Sequence, residues 1–302
     1  MSDIRRPDQA FDLVMDDGTK VHCRHFANSS KTRLAITHGN GFAVDGYRVF
    51  WEPLLADYDV VLFDMRNHGH NEPTGADGHN YLQMARDMGS IRRGIDATLG
   101  VKKTVAVCHS MSSRAAMKHA TTMEWVWDAL VLFDPPNVPP RGHKFYEAMR
   151  VFEGKLIEFS MNRPDTFDSP EDLHQLFNES RGQSRWLPQA REDMAKAVLR
   201  PDGEGRYTLT CRRELEASIY LAALTLELWP PASLYGGPVK MIGADPEWKG
   251  APPTGVANQA LAIEGGYDYD AIPETGHLLQ IENPQACRDS MIAFLRKHGL
   301  AT

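Results

Sequence analysis

The chain has 302 residues, 42% of them apolar, enough to bury a full core without disulfide or metal staples. Its net charge of −7, with acidic and basic residues interspersed and no Lys/Arg stripe, argues against nucleic acid or an anionic membrane as partner. The four cysteines, Cys23, Cys108, Cys211 and Cys287, follow no metal-ligand spacing and demand no disulfide. With a polar start and no run of about 18 apolar residues, a cytoplasmic protein without stable membrane insertion is expected.

In chain order, Asp16, Asp17 and Gly18 separate two strand-like runs and predict an antiparallel hairpin at a sheet edge. Strands are predicted at 21–26, 34–37, 60–63, 105–107 and 130–133. The last four are almost continuously apolar, as strands covered on both faces are. Between them, residues 81–99 carry Leu82, Ala85, Met88, Ile91, Ile95 and Leu99 at helical spacing and stop at Gly100. This alternation predicts the α/β class, a mostly parallel, doubly wound sheet with right-handed crossovers.

From Pro135 to Gly237 the character changes. Amphipathic helices are predicted at 145–159, 170–179, 188–199 and 214–227, with no convincing buried strand among them. The block reads as a helical insertion, 135–237, on a core made of 1–134 and 238–302. The core pattern resumes with strands at 239–242 and 267–272 and helices at 254–263 and 284–298.

Residues 105–113 carry the sharpest chemical signal. Val105, Ala106 and Val107 lead into Cys108, His109, Ser110, Met111 and Ser112, and a helix-permissive run, 114–121, follows. This is small–x–Ser–x–small between strand and helix. A serine on so sharp a turn presents its hydroxyl at the carboxyl end of the sheet, and small neighbours let the flanking backbone approach. Only Ser110 qualifies: centring the motif on Ser112 puts Arg114 at a small position, and centring it on Ser113 puts Met111 there. Cys108 and Ser112 stand where glycines are usual.

A hydroxyl needs a base to take its proton and a third group to orient that base. Strand 239–242 runs into Asp245, and strand 267–272 runs toward His277. The order Ser110, Asp245, His277 predicts a catalytic triad at the carboxyl edge of the sheet. Asp134, at the end of strand 130–133, is the rival orienting acid, with a turn residue before Pro135 as its alternative reading. For an oxyanion, the Met111 N–H is the first expected donor, and the loop from His38 to Phe42 should supply the second. Asn40 is the first choice there and Gly41 the next. Loop 64–72 is rich in His and Asp, but hydrogen bonding within the loop is preferred to a metal site.

These features together resemble the α/β-hydrolase family: His38 and Gly39 after one strand, Asp64, Arg66, His68, Gly69 and His70 after the next, the elbow at Ser110, then Asp245, Gly276 and His277. The resemblance covers 10–135 and 238–298. It implies an α/β-hydrolase fold with residues 135–237 as a helical cap or lid, and a structural role for the Asp-x-Arg-x-His-Gly loop. Asn67 occupies a position where that loop usually has glycine. Family members with an aspartate nucleophile are disfavoured, since Ser110 holds that place.

The expected function is a serine hydrolase acting on a carboxylic ester or thioester of a small-molecule acyl substrate, with neither metal nor organic cofactor. Phe145, Phe152, Leu156, Phe159, Trp186, Leu215 and Tyr220 are candidates for an acyl pocket, or equally for the insertion's own core. The same triad also serves carbon–carbon bond and amide hydrolases. A non-catalytic ligand-binding homologue is a distinct alternative, and the sequence is compatible with a homodimer.

Overall fold

The computed structural model describes residues 5–250 and 252–301; the polar start at 1–4 lies outside the described residues. The chain opens with a hairpin, β1 (Gln9–Val14) and β2 (Lys20–Phe26), whose turn is relieved by Gly18 at φ 83°. There follow β3 (Thr32–Ile36), the short α1 (Arg48–Trp51), β4 (Asp59–Phe63) and α2 (Tyr81–Leu99). Next come β5 (Lys103–His109), α3 (Met111–Thr122) and β6 (Ala129–Phe133). The helix predicted at 81–99 has those limits, with Asn80 as its side-chain cap and Gly100 at φ 84° ending it.

Between β6 and the next core strand lie α4 (Tyr146–Asn162), β7 (Thr166–Phe167), α5 (Pro170–Glu179), α6 (Pro188–Ala197), β8 (Leu199–Pro201), β9 (Tyr207–Leu209) and α7 (Arg213–Ala223). The core closes with β10 (Val239–Ala244), α8 (Thr254–Gly265), β11 (Asp268–Ile272), α9 (Leu279–Glu282) and α10 (Pro284–Lys297). The intervening stretch differs from the sequence expectation by a three-stranded antiparallel sheet, ordered β7-β9-β8. Its strands are two or three residues long, too short for a period of two to emerge from the sequence.

The main sheet is ordered β1-β2-β4-β3-β5-β6-β10-β11. The edge hairpin and the β2–β4 pairing are antiparallel, and all other pairings are parallel. Alternation along each strand splits the core in two. Leu34, Ile36, Val105, Val107, Val131 and Phe133 face a cluster with Met291, Phe294 and Leu295 of α10. Ala35, Ala106, Cys108, Leu130 and Leu132 face Met84, Met88, Ile91 and Met117 of α2 and α3. Both faces are thus covered, which explains why these strands read as unbroken apolar runs. All four cysteines are free and buried. No helix among the described residues is long and apolar enough to cross a membrane.

The consequence for chemistry is geometric. β3, β4, β5, β6, β10 and β11 all point the same way, so the loops that follow them gather along one edge of the sheet.

Candidate active site

Ser110 sits between β5 and α3 at φ 52° and ψ −113°, a left-handed conformation costly for a residue with a Cβ. Its own N–H anchors the turn by donating to the Phe133 carbonyl at 2.9 Å. The unusual flanking residues fit the turn. Cys108 is fully buried between sheet and helices, and the Ser112 hydroxyl accepts from the His109 N–H at 3.0 Å and donates to the His109 carbonyl at 2.9 Å. A serine at this glycine position therefore ties the elbow together.

His277 reaches this serine from the loop after β11, with Nε2 2.9 Å from Ser110 Oγ. Its Nδ1 lies 2.6 Å from Oδ2 of Asp134. A carboxylate only accepts, so Nδ1 carries the hydrogen and Nε2 is left bare toward the hydroxyl. Asp134 is fully buried one residue beyond β6, and its carboxylate also accepts from Thr254 Oγ1 at 2.6 Å, Asn258 Nδ2 at 2.9 Å and the Ala244 N–H at 3.0 Å. Burial alone would push this carboxyl up. Hydrogen bonds from His277, Thr254 and Ala244 outweigh it and hold the group below its ordinary value, hence ionised.

Asp245, expected on the imidazole, is elsewhere. Its carboxylate accepts from the backbone N–H groups of Glu247 and Glu274, both at 2.8 Å, in an exposed turn. The reason is sheet order: β6 lies directly beside β5, whereas β10, which delivers Asp245, is one strand further away. Asp245 instead braces the loop that carries His277, at a point where Glu274 adopts φ 57°.

The loop after β3 lies against the elbow. A Cβ at Gly39 would meet His109 Nδ1 at 2.7 Å and Ser110 Cβ at 3.1 Å, so only glycine allows this approach. Three amides line up here. Gly39 N–H donates to Tyr47 Oη at 3.3 Å, and Gly41 N–H donates to His68 Nε2 at 3.1 Å. Gly41, the second choice for an oxyanion donor, is thereby turned to His68, and the Asn40 N–H is the one left over. Met111 opens α3, so its N–H has no carbonyl four residues back within the helix. The histidines of loop 64–72 are structural contacts of the same kind: His68 holds Gly41 N–H, and His70 Nε2 lies 2.8 Å from Asp45 Oδ2. Asn67, at φ 62°, accepts from the Thr74 N–H and donates to the Gly75 carbonyl, which suits asparagine to a left-handed position. No cluster of metal-ligating side chains occurs among the described residues.

Ser110 and His277 form part of the wall of a cavity of about 580 Å³. Phe152, Leu156, Phe159, Trp186 and Tyr220, named as pocket candidates, all line it; Phe145 and Leu215 do not. Phe145 packs on His143 instead, with ring centroids 5.7 Å apart. Polar side chains interrupt this wall, among them Glu153, Arg185 and Glu282, and Glu216 and Arg163 pair at 2.5 Å beside Gly41. Burial pushes the Glu216 carboxyl up even with Arg163 beside it.

A strand-to-helix serine, an imidazole from the last strand's loop and a mostly parallel sheet define an α/β hydrolase. The chain belongs to this family: the model of the alpha/beta hydrolase family matches residues 34–290. A putative esterase/lipase of Haemophilus influenzae is 28% identical over 109 residues, and this match spans only 36% of each chain. Among solved structures, E-2-(acetamidomethylene)succinate hydrolase aligns with a TM-score of 0.75 at 14% identity, over 95% of this chain and 99% of that one. A thermophilic esterase from Thermogutta terrifontis aligns at 0.67 and 17%, over 96% and 99%. At such identities the structural likeness is one of fold.

Proposed function

We propose that the protein is a serine hydrolase that cleaves a carboxylic ester or thioester through an acyl-enzyme. The observation that carries this reading is the continuous line from Ser110 Oγ to His277 Nε2 at 2.9 Å and from His277 Nδ1 to Asp134 at 2.6 Å. His277 removes the Ser110 proton as Oγ attacks the acyl carbon, and the oxyanion is held by the N–H groups of Asn40 and Met111. The imidazolium then protonates the departing alcohol or thiol. In the second half-reaction His277 activates water, and the acid is released with Ser110 restored. Asp134, ionised and fully buried, keeps the imidazole in the required tautomer and stabilises its charged form.

Residues 135–237 act as a cap whose aromatic and aliphatic side chains receive the acyl chain. Phe152, Leu156 and Trp186 stand in the same cavity wall as Ser110, which favours an apolar acyl group over a highly charged one. The reading needs no cofactor. It is tested with p-nitrophenyl butyrate: wild-type protein should release p-nitrophenolate, and Ser110→Ala should lose at least about a thousandfold in kcat while retaining its thermal midpoint. Turnover that survives this substitution would refute the assignment.

A further inference from the structure

Among the buried polar side chains that the chemistry above does not use are Tyr47 and His109. Tyr47 and His109 lie on one unbroken hydrogen-bond path. The Gly39 N–H donates to Tyr47 Oη at 3.3 Å, Tyr47 Oη is 2.8 Å from His109 Nδ1, and His109 Nε2 is 2.8 Å from the carbonyl oxygen of His277. The direction of every proton follows from the ends. A carbonyl only accepts, so Nε2 of His109 carries the hydrogen and Nδ1 is bare. Tyr47 must then donate its hydroxyl hydrogen to Nδ1, which leaves its lone pair for the Gly39 N–H. The chain has one consistent polarity and one tautomer, and Tyr47 and His109 are both fully buried.

We propose that Tyr47 and His109 are positioning residues that couple the loop bearing the Asn40 oxyanion donor to the loop bearing His277. This deepens the serine-hydrolase reading and rests on it for its catalytic consequence. Gly39 is adjacent to Asn40, and the backbone groups on either side are taken: the Gly39 carbonyl by His38 Nδ1 at 2.7 Å and the Gly41 N–H by His68. Fixing the two flanking residues fixes the orientation of the Asn40 N–H between them. At the other end, the link to the His277 carbonyl sets where that residue's backbone, and so its imidazole, stands over Ser110. The Gly39 position is closed to any side chain by His109 itself, so the ring both bonds and packs the elbow.

The path persists across ordinary pH. Burial, joined by the nearby His277 ring, pushes His109 down to about 3, against weaker opposing pulls from the His277 carbonyl and Asp134, with His38 also facing it. The His109 and His277 ring centroids are 4.9 Å apart, so a second positive charge here would oppose the imidazolium formed in turnover.

The test uses the whole protein. Nitrogen-15 histidine spectra of the unsubstituted chain should show one imidazole, identified by its disappearance in His109→Gln, as the Nε2–H tautomer between about pH 5 and about pH 8. Tyr47→Phe and His109→Gln should each lower kcat for p-nitrophenyl butyrate roughly 10–100-fold with KM changed less than about threefold. The double variant should be no slower than the slower single one, since both break the same path. An Nδ1–H tautomer, a ring that titrates in that range, or losses that multiply in the double variant would overturn the proposal. The tautomer is read without turnover, so inactivity of the wild-type protein toward esters would strike the hydrolase reading and leave this result standing.

Discussion

At the scale of single residues, the pairing of Ser110 with His277 was legible because each follows a strand and sits in a restricted context. Ser110 alone has small residues on both sides, and His277 follows Gly276 at a strand exit. The carboxylate that meets the imidazole was not, because Asp134 and Asp245 both end apolar strands and only the sheet order tells them apart. What selects Asp134 is its location beside β5 and a nest of donors from Thr254, Asn258 and Ala244, more than one hundred residues away in sequence. A contrast follows. Asp134→Asn should reduce kcat by roughly 10³–10⁴-fold, because an amide can present its N–H to Nδ1 and trap the wrong tautomer. Asp245→Asn should leave kcat within about threefold and cost about 1 kcal/mol of stability for its turn hydrogen bonds. Steady-state kinetics on the two variants decides between them, and equal losses would contradict the geometry.

At the scale of elements, the alternating strands and helices followed from periodicity, and the elbow from residue size. The small β7-β9-β8 sheet left no signal because its strands, two or three residues each, do not complete two repeats of alternation. Tertiary pairing was equally invisible. Arg114 of α3 and Glu153 of α4 form an ion pair with both side chains about 1% exposed, joining the helix that follows Ser110 to the first helix of the 135–237 segment. Arg114 is further held by Tyr81 Oη at 3.1 Å. Removing one partner strands the other charge in the interior. Glu153→Ala should therefore destabilise the fold by about 3–5 kcal/mol, read as a lower urea midpoint. Replacing both residues with apolar ones of similar volume should recover most of that loss, and an unchanged midpoint in the single variant would show the pair to be incidental.

At the scale of the whole molecule, histidine burial dominates the response to pH. His38, His68, His79 and His109 are all buried, and burial is the main cause that lowers each of them, His79 to about 4 and His109 to about 3. In the unfolded chain these rings bind protons below about pH 6.5, while in the folded protein they stay neutral. The unfolded state thus binds more protons, and stability falls as pH drops through that value. Each ring contributes up to about 1.4 kcal/mol per pH unit, so passing from pH 7 to pH 5 should remove several kcal/mol. Asp134, held below its ordinary value, adds to the loss only below about pH 4, where the unfolded carboxylate would take up its proton. Thermal midpoints in low-salt buffers should decline steeply below pH 6, and a flat profile to pH 5 would mean the rings are not buried as described.

The central claim is that Ser110 is an activated nucleophile, and a fluorophosphonate probe followed by peptide mass spectrometry tests it most directly. The geometry predicts a single phosphonyl adduct on the peptide containing Ser110, formed rapidly in the wild-type protein and absent from the Ser110→Ala variant. No adduct in the wild type, or an adduct on another residue that persists in the variant, would contradict it.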